Sequence, residues 1–205
     1  MAENITLSED EQDCLQEVMN ISYGAATAAI SEIINKYATL DIPKIRTANS
    51  SEFEKYFYKK LDDGKIHYIS NQLVNGYLSS ENMFVMDKDS VHNLCIEFGL
   101  EESEIDDDEL KDVMLEISNI ISTTTISKLA ELIDSSVVFS PPSLKIVKSF
   151  DDLEYRYHSE NLHIIIIETN LVFKEQHIHG ELMILSKNDS ILYLKKALNK
   201  IIEEY

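Results

Sequence analysis

The chain has 205 residues, 44% of them hydrophobic, and its 18 basic against 37 acidic residues leave a formal net charge of −19. That charge argues strongly against nucleic acid as a partner, since phosphate neutralisation supplies most non-specific affinity there, and against electrostatic docking onto anionic lipid. No apolar run approaches the ~20 residues of a membrane-spanning helix, so a protein or small-molecule partner is left.

The start, MAENITLSEDEQ, lacks the basic stretch and apolar block of a secretory signal. Cys14 and Cys95 stand far apart in helix-like segments, as expected of reduced thiols in a cytoplasmic protein. Residues 6–37 predict a long helix: Leu15, Val18, Ile21, Ala25, Ala29, Ile33 and Tyr37 recur at helical spacing, and Ser8 with Glu11 offers a capping box. Pro43 then pushes the chain into extended structure. Residues 50–63 are charged and aromatic, a short helix or an irregular excursion. KIHYISN and NGYLSSENMFVM predict strands, and DKDSVHNLCIEFG a short helix closed by Gly99.

The second half repeats this order. EESEIDDDEL opens a helix running to about Asp134, its acidic residues suited to the positive end of the helix dipole. Pro141, Pro142 and the extended SLKIVKSF follow, then a charged excursion over 151–160, the strands NLHIIIIETNLVF and EQHIHGELMILS, and a closing helix, NDSILYLKKALNKIIEEY. Two halves with one order of elements imply duplication. The expectation is one α/β domain over 1–205, made of pseudo-symmetric halves of about 1–99 and 100–205, each a long motif helix plus β-strands and a short helix, with both motif helices lying against sheet built from each half's strands.

The two helices carry one sparse polar pattern. DCLQEVMN at 13–20 and DVMLEISN at 112–119 both read Asp, three residues, Glu, two residues, Asn, and each Asn is followed 23 residues later by a proline. On a helical wheel Asp13, Glu17, Asn20, Gly24, Thr27 and Ser31 share one narrow face, as do Asp112, Glu116, Asn119, Thr123, Ser127 and Ala130. Nearly everything else on both helices is apolar or small. The polar stripe is therefore the face left to solvent, because burying an ionised Glu or an unpaired amide is costly. One Glu-x-x-Asn is the ordinary wet edge of an amphipathic helix. Four positions recurring together are not explained by chance.

This pattern resembles that of the CheC/CheX/FliY family, phosphatases acting on the phosphorylated CheY-type chemotaxis regulator. DCLQEVMNISYGAATAAIS leading to Pro43 is the closer copy, and DVMLEISNIISTTTISKLA leading to Pro142 matches at Asp, Glu, Asn and Pro. Two motifs in a chain of this length make it most similar to CheC. Thr123 stands where the first helix has Gly24, and the first half's strand region lacks the Gly-Asp-x-x-Gly run expected of the family.

The resemblance implies a CheC-like layered fold and hydrolysis of an aspartyl phosphate on another protein. Such phosphoryl transfer needs mainly positioning and charge stabilisation. An Asn amide, both donor and acceptor, is suited to hold the attacking water. Asn20 and Asn119 are the expected water-orienting residues. Glu17 and Glu116, one turn earlier, are expected to pair with the regulator's active-site lysine. The chain needs no cofactor of its own, the Mg²⁺ being the regulator's. Asp13 and Asp112 either touch the partner's rim or only solvate the stripe. The receptor deamidase CheD is a further compatible partner. The alternative is a non-catalytic adaptor of the same fold, binding a response regulator, CheD or a flagellar-switch component.

Other candidates are weaker. His177 and His179 read as alternating on a strand, with His163 on the neighbouring run, but no Cys or spaced carboxylate completes a metal site. DDDE at 106–109 lacks the Gly and closing Glu of a calcium loop and reads as an acidic first helical turn.

Overall fold

Both motif helices form where capping and apolar spacing place them. In the computed structural model, which describes residues 6–149, 152 and 163–204 (backbone only at 163, 187 and 188), α1 spans Glu9–Ile34 and α4 spans Asp107–Leu132. Ser8 Oγ accepts from the Glu11 backbone N–H and the Glu11 carboxylate accepts from that of Ser8, a complete capping box. Asp106 caps α4 through the N–H groups of Asp108 and Glu109, so the DDDE run is indeed a helix start. Both helices stop at a left-handed residue, Asn35 and Asp134, 99 positions apart and each at φ 53°. Asn and Asp tolerate that conformation better than other non-glycine residues.

Between these helices run β1 (Thr39–Leu40), β2 (Lys44–Asn49), α2 (Ser50–Leu61), β3 (His67–Gly76), β4 (Ser80–Asp87) and α3 (Lys88–Glu97). After α4 come β5 (Val137–Phe139), β6 (Ser143–Val147), β7 (His163–Phe173), β8 (Ile178–Lys187) and α5 (Asn188–Glu204). Residues 50–61 are thus a regular helix, capped by Asn49 and Glu52. The charged stretch predicted at 151–160 lies, Asp152 apart, outside the described residues.

All strand pairs described are antiparallel, in the order β1-β7-β8-β4-β3-β5, with β2 also on β7 and β6 also on β3. The halves exchange strands: β1 and β2 of the first pair with β7 of the second, and β5 and β6 of the second pair with β3 of the first. The sheet that the motif helices meet is therefore built from the strands of both halves, as the sequence reading expected, with the outer strands of each half pairing on the hairpin of the other. Pro43 and Pro142 sit where these outer strands break. The pairing register slips by one residue across each proline, a bulge at a position where an edge strand tolerates a missing N–H. At the centre Met83 lies opposite Met183, marking the pseudo-two-fold axis.

Strand alternation feeds two cores. Tyr68, Phe84, Met86, Ile165, Ile167, Leu182 and Ile184 face α1, α3, α4 and α5. Ile69, Met83, Val85, Ile164, Ile166, Met183 and Leu185 face the other side, where Phe53, Phe57 and Leu61 of α2 cover them. The IIII run is buried on both faces. Beside that second core, Arg46 stacks 3.6 Å from the Tyr56 ring and Lys60 pairs with Glu181.

Candidate functional site

Glu17 and Asn20 are both exposed on α1, and Asp13, one turn before, is exposed as well. On α4, Asp112 and Glu116 are exposed and Asn119 is half-buried. The stripe stays at least partly accessible to Ser31 on α1 and to Ser127 on α4, while Ala130 is buried. Neither glutamate makes an ion pair among the described residues, and no hydrogen bond there engages the Asn20 carboxamide. Each helix thus presents a carboxylate and, about 4.5 Å further along the axis, a carboxamide. That arrangement suits docking a cation and holding a water beside it.

The surroundings differ. Beside Glu17 a cavity of about 580 Å³ is lined by Cys14, Val18 and Ile21 of α1, by Leu132, and by Ile201 and Ile202 at the end of α5. The pseudo-symmetric partner of α5 is α3, which packs on α4 as α5 packs on α1. With 10 residues against 17, it ends before it can supply equivalents of Ile201 and Ile202. Ile33, which occupies in α1 the position of Leu132 in α4, is accordingly left 51% exposed. The apolar side of α1 is therefore less completely covered than its sequence implies.

The second site is tied to the sheet. Gln72 Nε2 donates to Asn119 Oδ1 at 3.0 Å and to the Ser140 carbonyl at 2.9 Å. Next to it Ser118 Oγ donates to Ser70 Oγ at 2.7 Å and Asn82 Nδ2 to Ser122 Oγ at 2.6 Å. Ser70, Gln72 and Asn82 lie outside the motif. One signal was available: Ser70 and Gln72 are polar residues standing between Tyr68 and Val74 on one face of β3. A Cβ at Gly24 would meet nothing within 4 Å, while Thr123, its counterpart, returns its hydroxyl to the Asn119 carbonyl at 2.7 Å.

Three sequence candidates resolve differently. His177 lies in the β7–β8 turn at φ 54°, not on a strand, so it does not alternate with His179 as predicted. The side chain of His163 lies outside the described residues. Cys14 and Cys95 are free thiols, and burial with Glu109 nearby pushes the Cys95 pKa up to about 11. No helix among the described residues is long and apolar enough to cross a membrane.

The sequence matches no protein-family model. Solved structures do match. FliY from Thermotoga maritima superposes with a TM-score of 0.74 at 19% identity, covering 95% of this chain and 98% of that one. The chain has the CheC/CheX/FliY fold. The middle domain of FliM from H. pylori shares it at a TM-score of 0.62 and 11% identity, over 93% and 99% of the two chains. CheX from Desulfovibrio desulfuricans does so at 0.56 and 13%, over 83% and 99%. The fold is thus shared by FliY, the FliM middle domain and the chemotaxis protein CheX, and this chain spans nearly all of it. The resemblance read from the motif and the likeness of the folded backbone agree.

Proposed function

We propose that this chain is a phosphatase that hydrolyses the aspartyl phosphate of a CheY-type response regulator, at two sites of its own surface. The observation that carries this reading is the repeated Glu-x-x-Asn pair, with both carboxylates exposed and both carboxamides accessible on helices of the fold. Glu17 or Glu116 receives the ammonium of a lysine in the regulator's active site and so sets the register of docking. Asn20 or Asn119 then holds a water in line with the phosphorus. The water oxygen forms the new P–O bond and the bond to the aspartate oxygen breaks. The aspartate leaves as carboxylate, and the water's proton passes to phosphate or solvent. The Mg²⁺ of this reaction belongs to the regulator. Asp13 and Asp112 lie at the rim of the contact.

The second reading is a docking module without hydrolysis. It is favoured by the FliM likenesses, two of which come from a FliM–SpeE and a FliG–FliM complex, so domains of this fold bind protein partners. Turnover separates the two. A sub-stoichiometric amount of the chain should release phosphate from excess phosphorylated regulator well above the spontaneous rate, and an adaptor would act at most one for one.

A further inference from the structure

The duplication supplies its own control for Gln72. In the first half, the backbone N–H of Asp41 donates to the carbonyl of Asn170; in the second, that of Ser140 donates to the carbonyl of Leu73. This places Thr169 of β7 where β3 has Gln72. The correspondence extends to the side chains: Thr169 Oγ1 donates to the Asp41 carbonyl at 2.7 Å, as Gln72 Nε2 does to the Ser140 carbonyl. There the likeness stops. The threonine hydroxyl ends at that bond, whereas the glutamine amide has a second hydrogen and spends it on Asn119.

We propose that Gln72 is a positioning residue, holding the Asn119 carboxamide in the orientation that receives the attacking water, and that the α4 site is therefore the faster of the two. This rests on the phosphatase reading above. Gln72 is 3% exposed, and the Ser140 carbonyl fixes which end of its amide faces outward from the strand. Asn119 must then turn its oxygen towards Gln72. A carboxamide oxygen has two lone pairs, so one remains, with both Nδ2 hydrogens, for the water. Asn20 has no such partner among the described residues and must be ordered during each turnover. Ordering in advance removes that cost from the barrier.

The test uses the full chain and a CheY-type regulator phosphorylated by a small acyl phosphate. Asn20→Ala leaves only the α4 site, and Asn119→Ala only the α1 site. Gln72→Thr copies the first half, keeping a donor for the Ser140 carbonyl while falling short of Asn119. In the Asn20→Ala background it should lower kcat about three- to tenfold with KM unchanged, the size of effect expected from freeing one side chain. In the Asn119→Ala background it should change nothing. Side-chain ¹⁵N relaxation should show Asn119 more ordered than Asn20, and Gln72→Thr should abolish that difference. An unchanged kcat at the α4 site, or an equal loss in both backgrounds, overturns the proposal. So does an Asn119 as mobile as Asn20 beside an active α4 site. If Asn119 is ordered and neither background releases phosphate, the phosphatase reading itself falls, and the rate claim with it.

Discussion

The two motif helices meet the sheet through opposite chemistries. Under α4 the contact is polar: Ser118 on Ser70, Ser122 on Asn82, Asn119 on Gln72. At the equivalent places under α1 stand Met19, Tyr23, Ile167 and Leu182, all buried. Small serines let α4 lie directly on β3, whereas α1, with its larger side chains, makes its main strand contacts with β1 and β2. A polar contact of this kind is specific because each partner must find the other, and an apolar one is tolerant. The difference teaches that the two helices share their outward chemistry while their inward faces differ, and that only the polar seam gives a carboxamide a support.

The strongest way to break this comparison is to remove both amides. Asn20→Ala with Asn119→Ala should lower phosphate release by about 100-fold or more, the scale of lost positioning in such reactions, with the circular dichroism spectrum unchanged. Full activity in that variant would end the phosphatase reading.

Exchanging the seams comes next. Leu182→Asn, which copies Asn82 into the first half, replaces a fully buried leucine by an amide in a seam of large side chains and should cost about 2–4 kcal/mol in denaturant unfolding. The reverse, Asn82→Leu, leaves the Ser122 and Ser80 hydroxyls to be satisfied and should cost about 1–3 kcal/mol. Equal costs would show that the polar and apolar seams are interchangeable.

A third contrast lies at the helix starts. Glu11 on α1 accepts from Asn199 at 2.8 Å and pairs with Lys195 of α5 at 3.3 Å, whereas the α4 equivalent is the apolar core residue Leu110. Burial alone would raise the Glu11 pKa, but the Ser8 N–H, Asn199 and Lys195 outweigh it and hold the carboxyl below its ordinary 4.5. The stabilisation is therefore present above the ordinary carboxylate range and is lost as pH falls through the lowered value. Glu11→Gln should cost about 1–3 kcal/mol at pH 7, and its melting curve should converge with that of the parent in acid. A constant gap down to pH 2 would contradict the clamp.

The smallest effect is expected at Gly24. A methyl group there meets nothing, so Gly24→Ala should stabilise the fold by up to about 1 kcal/mol through helix propensity. If Gly24 admits the regulator's backbone, the same change should raise KM at the α1 site alone, which kinetics in the Asn119→Ala background would show.

Local signals made much of this legible in the sequence. Ser8 and Glu11 announced α1, the acidic run at 106–109 announced α4, and spacing put Asp, Glu and Asn on an outward stripe. What could not be read was pairing at a distance. A strand's alternation says which residues share a face but not which strand lies alongside, so the exchange of β1 and β2 with β5 and β6 was invisible. Gln72 was hidden for the same reason, since its role depends on a helix 47 residues away. His177 was misplaced because a left-handed turn residue other than glycine leaves little trace in sequence.

The exchange of outer strands bears on how the molecule comes apart. A fragment ending near residue 100 would keep the β3–β4 hairpin but lose the strands that flank it, and the remainder would lack the cover for β7. Neither piece is self-sufficient, so melting should be a single cooperative event despite the two hydrophobic clusters. Co-expressed fragments should reconstitute one another where either alone stays unfolded.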